Sequence, residues 1–243
     1  MPKTRLDQLL VQRGLAESRE QAQRLIRAGM VRVGEQLAGK PGHQYKNDVD
    51  VTVKEKEKYV SRGGLKIEGA HRQFGFDLDG AVCLDIGSST GGFTDFMLQH
   101  GAAKVYAVGC GTNQLHYKLR SDPRVVVMEN TNARYLTEED IPEKAGFCSI
   151  DTSFISLKLI LPPLKQLIKP GGHIVSLIKP QFEAGRDQVG KGGVVRDPAI
   201  HEEVIEKVKR FGTEELGFQW LELCTSPITG PAGNIEFLAY WKV

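Results

Sequence analysis

The sequence predicts an α/β protein with a seven-stranded, mostly parallel sheet over residues 65–243, behind a small α+β domain over residues 1–60. Three observations predict it. From residue 80 onward, short apolar runs alternate with helix-length stretches, the pattern of a parallel sheet covered on both faces. Before residue 60 the apolar spacing changes from a helical period to a period of two. Charge is also divided: residues 1–66 hold 14 Lys/Arg against 8 Asp/Glu, and the remainder holds 18 against 22, within a net charge of +2. A basic head on a mildly acidic body is a footprint for a polyanionic partner, although a small surface-rich domain can carry solvated charge for no such reason.

The elements follow in chain order. Thr4 reads as a helix cap with Asp7 three positions on, and Leu6, Leu9 and Leu10 share a face that Gly14 ends. Ser18 starts a second helix with Gln21 in the capping-box position. Ala22, Leu25 and Ile26 form its apolar stripe, and Gly29 stops it. Arg19, Gln23 and Arg27 share another face with Arg24 beside it, an arrangement that can sit against phosphates. Taken alone, a basic helical hairpin fits a protein partner as well as a nucleic acid. Val31 and Val33, then Val49, Val51 and Val53, read as short strands. The charged, glycine-ended stretch 54–64 is the expected connection.

In the larger domain the expected strands are 82–86, 105–108, 125–128, 147–150, 174–178, 220–224 and 235–241, with helices near 93–100, 156–168 and 199–211. The last two strands are close in sequence, so a final antiparallel strand is expected. The first strand runs into LDIGSSTGGF, a glycine-rich turn that lets a ligand approach the backbone at a strand–helix junction. It lacks the G-x-G-x-x-G spacing of dinucleotide sites and the Gly-Lys-Ser/Thr of phosphate loops. A tight turn without a ligand is the alternative. Asp85, at the end of a buried strand, is where a ligand-facing carboxylate would sit.

Other classes are disfavoured. Cys83, Cys110, Cys148 and Cys224 form no CxxC pair, and three lie in strand-like runs, which points to reduced thiols in a cytoplasmic protein. The six histidines show no ligand spacing, so no metal site is expected. Neither a signal peptide nor a run of the roughly 18 apolar residues needed to span a membrane is expected.

The N-terminal string RLDQLLVQRGLAESREQAQRLIRAGMVRVGEQLAGKPG resembles the alpha-L-type RNA-binding module of ribosomal and RNA-modifying proteins. The strings YVSRGGLK, LDIGSSTGGFTDFMLQHGA, NQLHYKLR, ENTNAR, DTSFISL, LIKPQFE and GNIEF, taken together, resemble the TlyA-type proteins. These are called hemolysins and are similar to FtsJ-type ribose methyltransferases fused to that module. The resemblance covers nearly the whole chain. It implies a Rossmann-like methyltransferase fold, S-adenosylmethionine as methyl donor and the 2′-hydroxyl of ribosomal RNA cytidine as acceptor, with ribosomal RNA or subunits as partners. It implies that Arg5, Arg19, Arg24 and Arg27 meet RNA, and that Lys66, Asp151, Lys179 and Glu236 form a catalytic Lys-Asp-Lys-Glu set. Lys179 would be the base or the closest partner of the hydroxyl, Lys66 would assist by charge, and Asp151 and Glu236 would hold both ammonium groups. Such a cluster titrates as a unit, which leaves the base open. Each residue has an ordinary alternative, as a surface lysine, helix cap, strand exit or edge charge. Four strings matching in order favour a shared site. The expected cofactor contacts are Asp85, Gly87, Ser88, Gly91 and Phe93, with Glu129 or Asn132 near the adenine and Asp151 at the methionine end.

One position departs from the resemblance. Where an acidic ligand for the cofactor ribose is expected after the second strand, this chain has Gly109. Losing hydrogen bonds to a charged acceptor costs roughly 1.5–3 kcal/mol each, about tenfold in affinity or more. Gly109 therefore favours a second reading, an RNA- or ribosome-binding assembly factor with a decayed enzyme site; the intact lysine and carboxylate strings oppose it. A cytolysin is the third reading, with no membrane pattern to support it. The glycine-rich stretch 185–197 is expected to be a mobile loop over the acceptor site, or else an inert surface excursion.

Overall fold

The structure is a computed structural model that describes residues 3–54 and 57–243. Met1 and Pro2, together with Glu55 and Lys56 from the expected connection, lie outside the described residues. The chain divides into two compact units, Met1–Lys58 and Tyr59–Val243. The division falls inside the expected 54–64 connection, and residues 59–64 are part of the larger unit. Tyr59 is buried in its core, and the Val60 N–H donates to Asp95 Oδ2 at 2.8 Å.

The first unit runs β1 (Lys3–Arg5), α1 (Leu6–Gln12), α2 (Arg19–Arg27), β2 (Val31–Val33), β3 (Gln36–Leu37), β4 (Gln44–Lys46) and β5 (Val51–Val53). Leu6, Leu9, Leu10, Ala22, Ile26 and Val31 form its core. The expected Thr4 cap is corrected. Residues 3–5 pair antiparallel with β4, and the Thr4 hydroxyl donates to Asn47 Oδ1 at 2.7 Å. The Leu6 and Asp7 N–H groups donate to the carbonyls of His43 and Pro41, so the helix start needs no side-chain cap. At the second helix, Ser18 Oγ accepts the Gln21 N–H as expected, while the Gln21 side chain accepts from Glu17 N, one residue before the cap. The α2 stop is Gly29 at φ 69°.

The larger unit runs α3 (Gly63–Phe74), β6 (Val82–Ile86), α4 (Gly92–Gln99), β7 (Lys104–Val108), α5 (Tyr117–Arg120), β8 (Val125–Met128), β9 (Ala145–Ile150), α6 (Leu157–Leu167), β10 (Ile168–Ile178), α7 (Pro180–Glu183), α8 (Pro198–Arg210), β11 (Gln219–Thr225) and β12 (Phe237–Lys242). One seven-stranded sheet results, in the order β11-β12-β10-β9-β6-β7-β8, parallel except that β12 runs antiparallel to both neighbours.

Strand alternation sends side chains to two cores. Leu84, Ile86, Tyr106, Val108, Ile174 and Trp241 pack with α6 and α8 on one face. Cys83, Val105, Ala107, Val175, Leu177 and Leu238 pack with α3 and α4 on the other. Each fully buried Leu or Ile contributes about 1.5–3 kcal/mol of apolar transfer. Both faces are covered, which is why the strands read as continuous apolar runs. Among the described residues, no helix is long and apolar enough to cross a membrane.

Candidate active site

The carboxyl ends of the parallel strands converge on one edge. There Asp151 N donates to Ile86 O at 2.9 Å, joining the exits of β6 and β9. Lys179 follows β10 directly. Because β12 is antiparallel and Ile178 pairs with Phe237, the residue preceding β12, Glu236, arrives at the same edge. Lys66 comes from the first turns of α3. All four expected residues therefore meet.

Lys66 Nζ lies 2.7 Å from Glu236 Oε2 and 3.5 Å from Asp151 Oδ2. Lys179 Nζ lies 2.6 Å from Asp151 Oδ1 and donates to Ser153 Oγ at 2.9 Å. Asp151 thus bridges the two ammonium groups. Glu236 is 1% exposed, and both lysines are nearly buried. Two cations and two anions balance formally, which such burial requires. Each ammonium has three N–H groups and two of these contacts, leaving capacity for one more acceptor.

A cavity of about 370 Å³ opens onto the set, lined also by Gly87, Ser88 and Phe93. A second cavity of about 360 Å³ lies beside it. Its wall is apolar at Val108, Ala133, Ile155 and Ile160, with amides and hydroxyls at Gln114, Thr131 and Asn132. The two share Gly87, Ser89, Asp151 and Ser153. Gly87 makes that junction possible: its φ is 87°, and a Cβ there would fall 2.4 Å from the Asp151 carbonyl oxygen.

Other expected contacts are placed differently. Asp85 borders the first cavity but is 0% exposed, and its oxygens accept from Thr94 Oγ1 at 2.6 Å and Ser149 Oγ at 3.2 Å. Burial pushes its carboxyl up to about 6, against those two hydrogen bonds. Gly91 lines neither cavity; a Cβ there would collide with Leu119 Cδ1 at 2.2 Å, so its smallness serves packing. Glu129 also lines neither. Its carboxylate binds the Arg120 guanidinium and accepts the N–H groups of Asn113 at 2.9 Å and Gln114 at 3.0 Å. The Arg120 bond, then these backbone donors, hold it down at about 2. It is a loop anchor, so of the expected pair Glu129 and Asn132 it is Asn132 that lines the second cavity.

The stretch 185–197 is pinned rather than loose. Asn234 Oδ1 accepts from Val195 N at 3.0 Å, Asn234 Nδ2 donates to Gly193 O at 2.9 Å, and Gly190 bridges Val194. The chain that lines the first cavity is instead Ile228, Thr229 and Pro231. Sequence reasoning passed over two further residues. Phe154 is 90% exposed at φ 63° and lines the second cavity, with its ring 5.0 Å from that of Phe182. A left-handed, exposed phenylalanine beside a cavity is a strained position that packing does not explain. Glu183 is buried and accepts from Ser156 Oγ at 2.6 Å and Leu157 N at 2.7 Å. It ties the exit carrying Lys179 to the start of α6, and burial raises its carboxyl.

In the first unit, Asp7 is 0% exposed and collects Arg5 at 2.9 Å, Arg19 at 3.4 Å and Gln23 Nε2 at 2.9 Å. The Arg5 bond leads in holding its carboxyl well below the usual range. Arg5 and Arg19 are therefore braced by an internal anion, whereas Arg24 and Arg27 project exposed from α2.

The profile of the FtsJ-like methyltransferase family matches residues 59–243, and that of the S4 domain matches residues 4–64. The chain is 53% identical over 240 residues to YqxC of Bacillus subtilis, a protein provisionally named an rRNA methyltransferase, covering 98% of this chain and 85% of that one. It is 45% identical over 242 residues to the 16S/23S rRNA (cytidine-2'-O)-methyltransferase TlyA of Mycobacterium tuberculosis, covering 99% and 90%. A solved structure carrying the hemolysin name, from Streptococcus thermophilus, superposes with a TM-score of 0.76 at 50% identity over 100% of this chain and 89% of that one.

Proposed function

The chain belongs to the FtsJ-like methyltransferase family, and from that membership and the edge described above we propose its reaction: S-adenosylmethionine-dependent methylation of a ribose 2′-hydroxyl in ribosomal RNA, with cytidine as the target nucleoside. The observation that carries this reading is the meeting of Lys66, Asp151, Lys179 and Glu236 beside a nucleoside-sized cavity.

The donor set fits the cofactor. An apolar wall edged by amides and hydroxyls suits an adenosine, and the strip shared by the two cavities leads from there to the lysines. Gly87, Ser88, Phe93, Asn132 and Asp151 would hold it; when bound, it supplies a methyl group made electrophilic by a sulfonium centre. The protein's part is alignment and proton removal. Lys179 Nζ, fixed by Asp151 and Ser153, is the hydrogen-bond partner of the acceptor hydroxyl; once the ammonium has released one proton to solvent, the amine takes up the hydroxyl proton as the methyl group is transferred. Lys66, fixed by Glu236, adds positive charge where the oxygen becomes anionic. Phe154 and Phe182 offer aromatic faces for the acceptor base.

The S4-like unit supports RNA binding. We assign Arg24 and Arg27, with the braced Arg5 and Arg19, to phosphate contact. The partner is a ribosomal subunit in the cytoplasm. The test is transfer of labelled methyl groups to subunits lacking the modification, followed by mapping of the labelled nucleotide. Label on a base, or no label on any ribosomal RNA, would refute the reading. Gly109 favours the second reading, a non-catalytic assembly factor. That reading, which includes a weakly catalytic factor, requires cofactor binding to be weak or absent, and calorimetry separates the two.

A further inference from the structure

Position 109 stands at the exit of β7 in the second cavity, and it carries no carboxylate. Packing does not force the glycine: a Cβ there would meet only Ser88 Oγ, at an ordinary 3.5 Å. Among the residues lining that cavity the only acid is Asp151, which both lysines hold. Most of the other polar side chains are engaged. Thr131 Oγ1 donates to the Glu129 carbonyl, Asn132 Oδ1 accepts the Arg134 N–H, and Ser153 accepts from Lys179. Gln114 remains. Its carboxamide lies flat on the chain at Gly111, where a Cβ would fall 2.2–2.6 Å from its Cδ, Oε1 and Nε2. Its backbone is fixed, because Glu129 gathers the N–H groups of Asn113, Gln114 and Leu115, and Thr112 Oγ1 donates to Asn130 Oδ1 at 2.7 Å.

We propose that the Gln114 carboxamide, laid over Gly111 by the Glu129-anchored loop, is the ligand of the cofactor's ribose hydroxyls in place of the carboxylate missing at Gly109. This rests on the cofactor reading above. A primary amide offers one acceptor and two donors, enough to pair with a vicinal diol without a charge. Glu129 thereby acts on the cofactor at one remove, as the anchor of the loop that delivers Gln114. Gly111 is the companion requirement, since any side chain there would displace the amide.

The test is calorimetry with S-adenosylhomocysteine and its 2′-deoxy and 3′-deoxy analogues. The wild-type protein should bind at least one deoxy analogue about tenfold more weakly than the parent. Gln114→Ala should weaken the parent by a similar factor and lose that discrimination, because the partner of the hydroxyl is gone. Adding Gly109→Asp to Gln114→Ala should restore both. Gln114 is exposed, so an unchanged melting temperature without ligand confirms that Gln114→Ala folds. Affinity within twofold of wild type in Gln114→Ala, or equal weakening of the parent and both analogues, would overturn the assignment while leaving the cofactor reading intact. A wild-type protein that binds no S-adenosylhomocysteine would overturn the cofactor reading and the assignment with it.

Discussion

Replacing Lys179 by alanine isolates the chemical step. The change removes the ammonium that sits 2.6 Å from Asp151 Oδ1 and 2.9 Å from Ser153 Oγ. Asp151 keeps Lys66 at 3.5 Å, which it then shares with Glu236, and its side chain is 19% exposed, so the folding cost should be about 3 kcal/mol, the low end for a broken buried pair. The barrier should suffer at least as much. A positioned proton acceptor contributes about 10²–10⁴ in rate, which corresponds to about 3–5 kcal/mol. Single-turnover methyl transfer to unmodified ribosomal subunits measures that loss, and calorimetry with S-adenosylhomocysteine checks that cofactor binding survives. A rate within tenfold of wild type, with binding intact, would remove Lys179 from the proton path. A matching collapse of binding would show instead that the lysine holds the pocket together.

Asp85 should make stability depend on pH in a particular direction. Its folded value of about 6 exceeds an unfolded value near 3.9, so the unfolded chain releases this proton first, and the group costs stability as pH rises from about 4 to about 6, by about 3 kcal/mol once both forms are ionised. Asp85→Asn should gain on wild type across that interval in urea midpoints and hold the difference above it; parallel curves would show that the carboxyl is not perturbed. Gly109→Asp, for which the structure has room beside Ser88, should tighten S-adenosylmethionine binding about tenfold when it is added to Gln114→Ala, and an unchanged calorimetric constant in that background would mean that position 109 does not face the ribose. Phe154→Ala should raise KM for the ribosomal substrate about tenfold through lost stacking, at little cost in stability because the ring is 90% exposed; unaltered kinetics would exclude the ring from base contact.

Much of this was legible along the chain. Runs such as VCLDI and VSLI betray a sheet buried on both faces, since no polar alternation is needed when helices cover each side. Lys66, Asp151, Lys179 and Glu236 could be named because each sits in a short local string, although their separations reach 170 residues. The errors were of another kind. Thr4 and Asp7 have the spacing of a cap, but a turn distant in sequence, at Pro41 and His43, supplied the helix with carbonyl partners and left Asp7 to the arginines. Glu129 lies where a ligand contact was expected and instead faces a loop 14–16 residues earlier. The stretch 185–197 has a mobile composition, yet one buried amide, Asn234, fastens it.

Local order, meaning which residues are apolar, which turn and which carry charge, was set by the sequence alone, because side-chain period and backbone preference act over a few neighbours. Which polar group answers which was decided only in three dimensions. A carboxylate or amide pairs with whatever donor the sheet edge brings within about 3 Å, and that depends on strand order and register rather than on distance along the chain. The antiparallel return of β12, which sets Glu236 beside Lys66, is the clearest case.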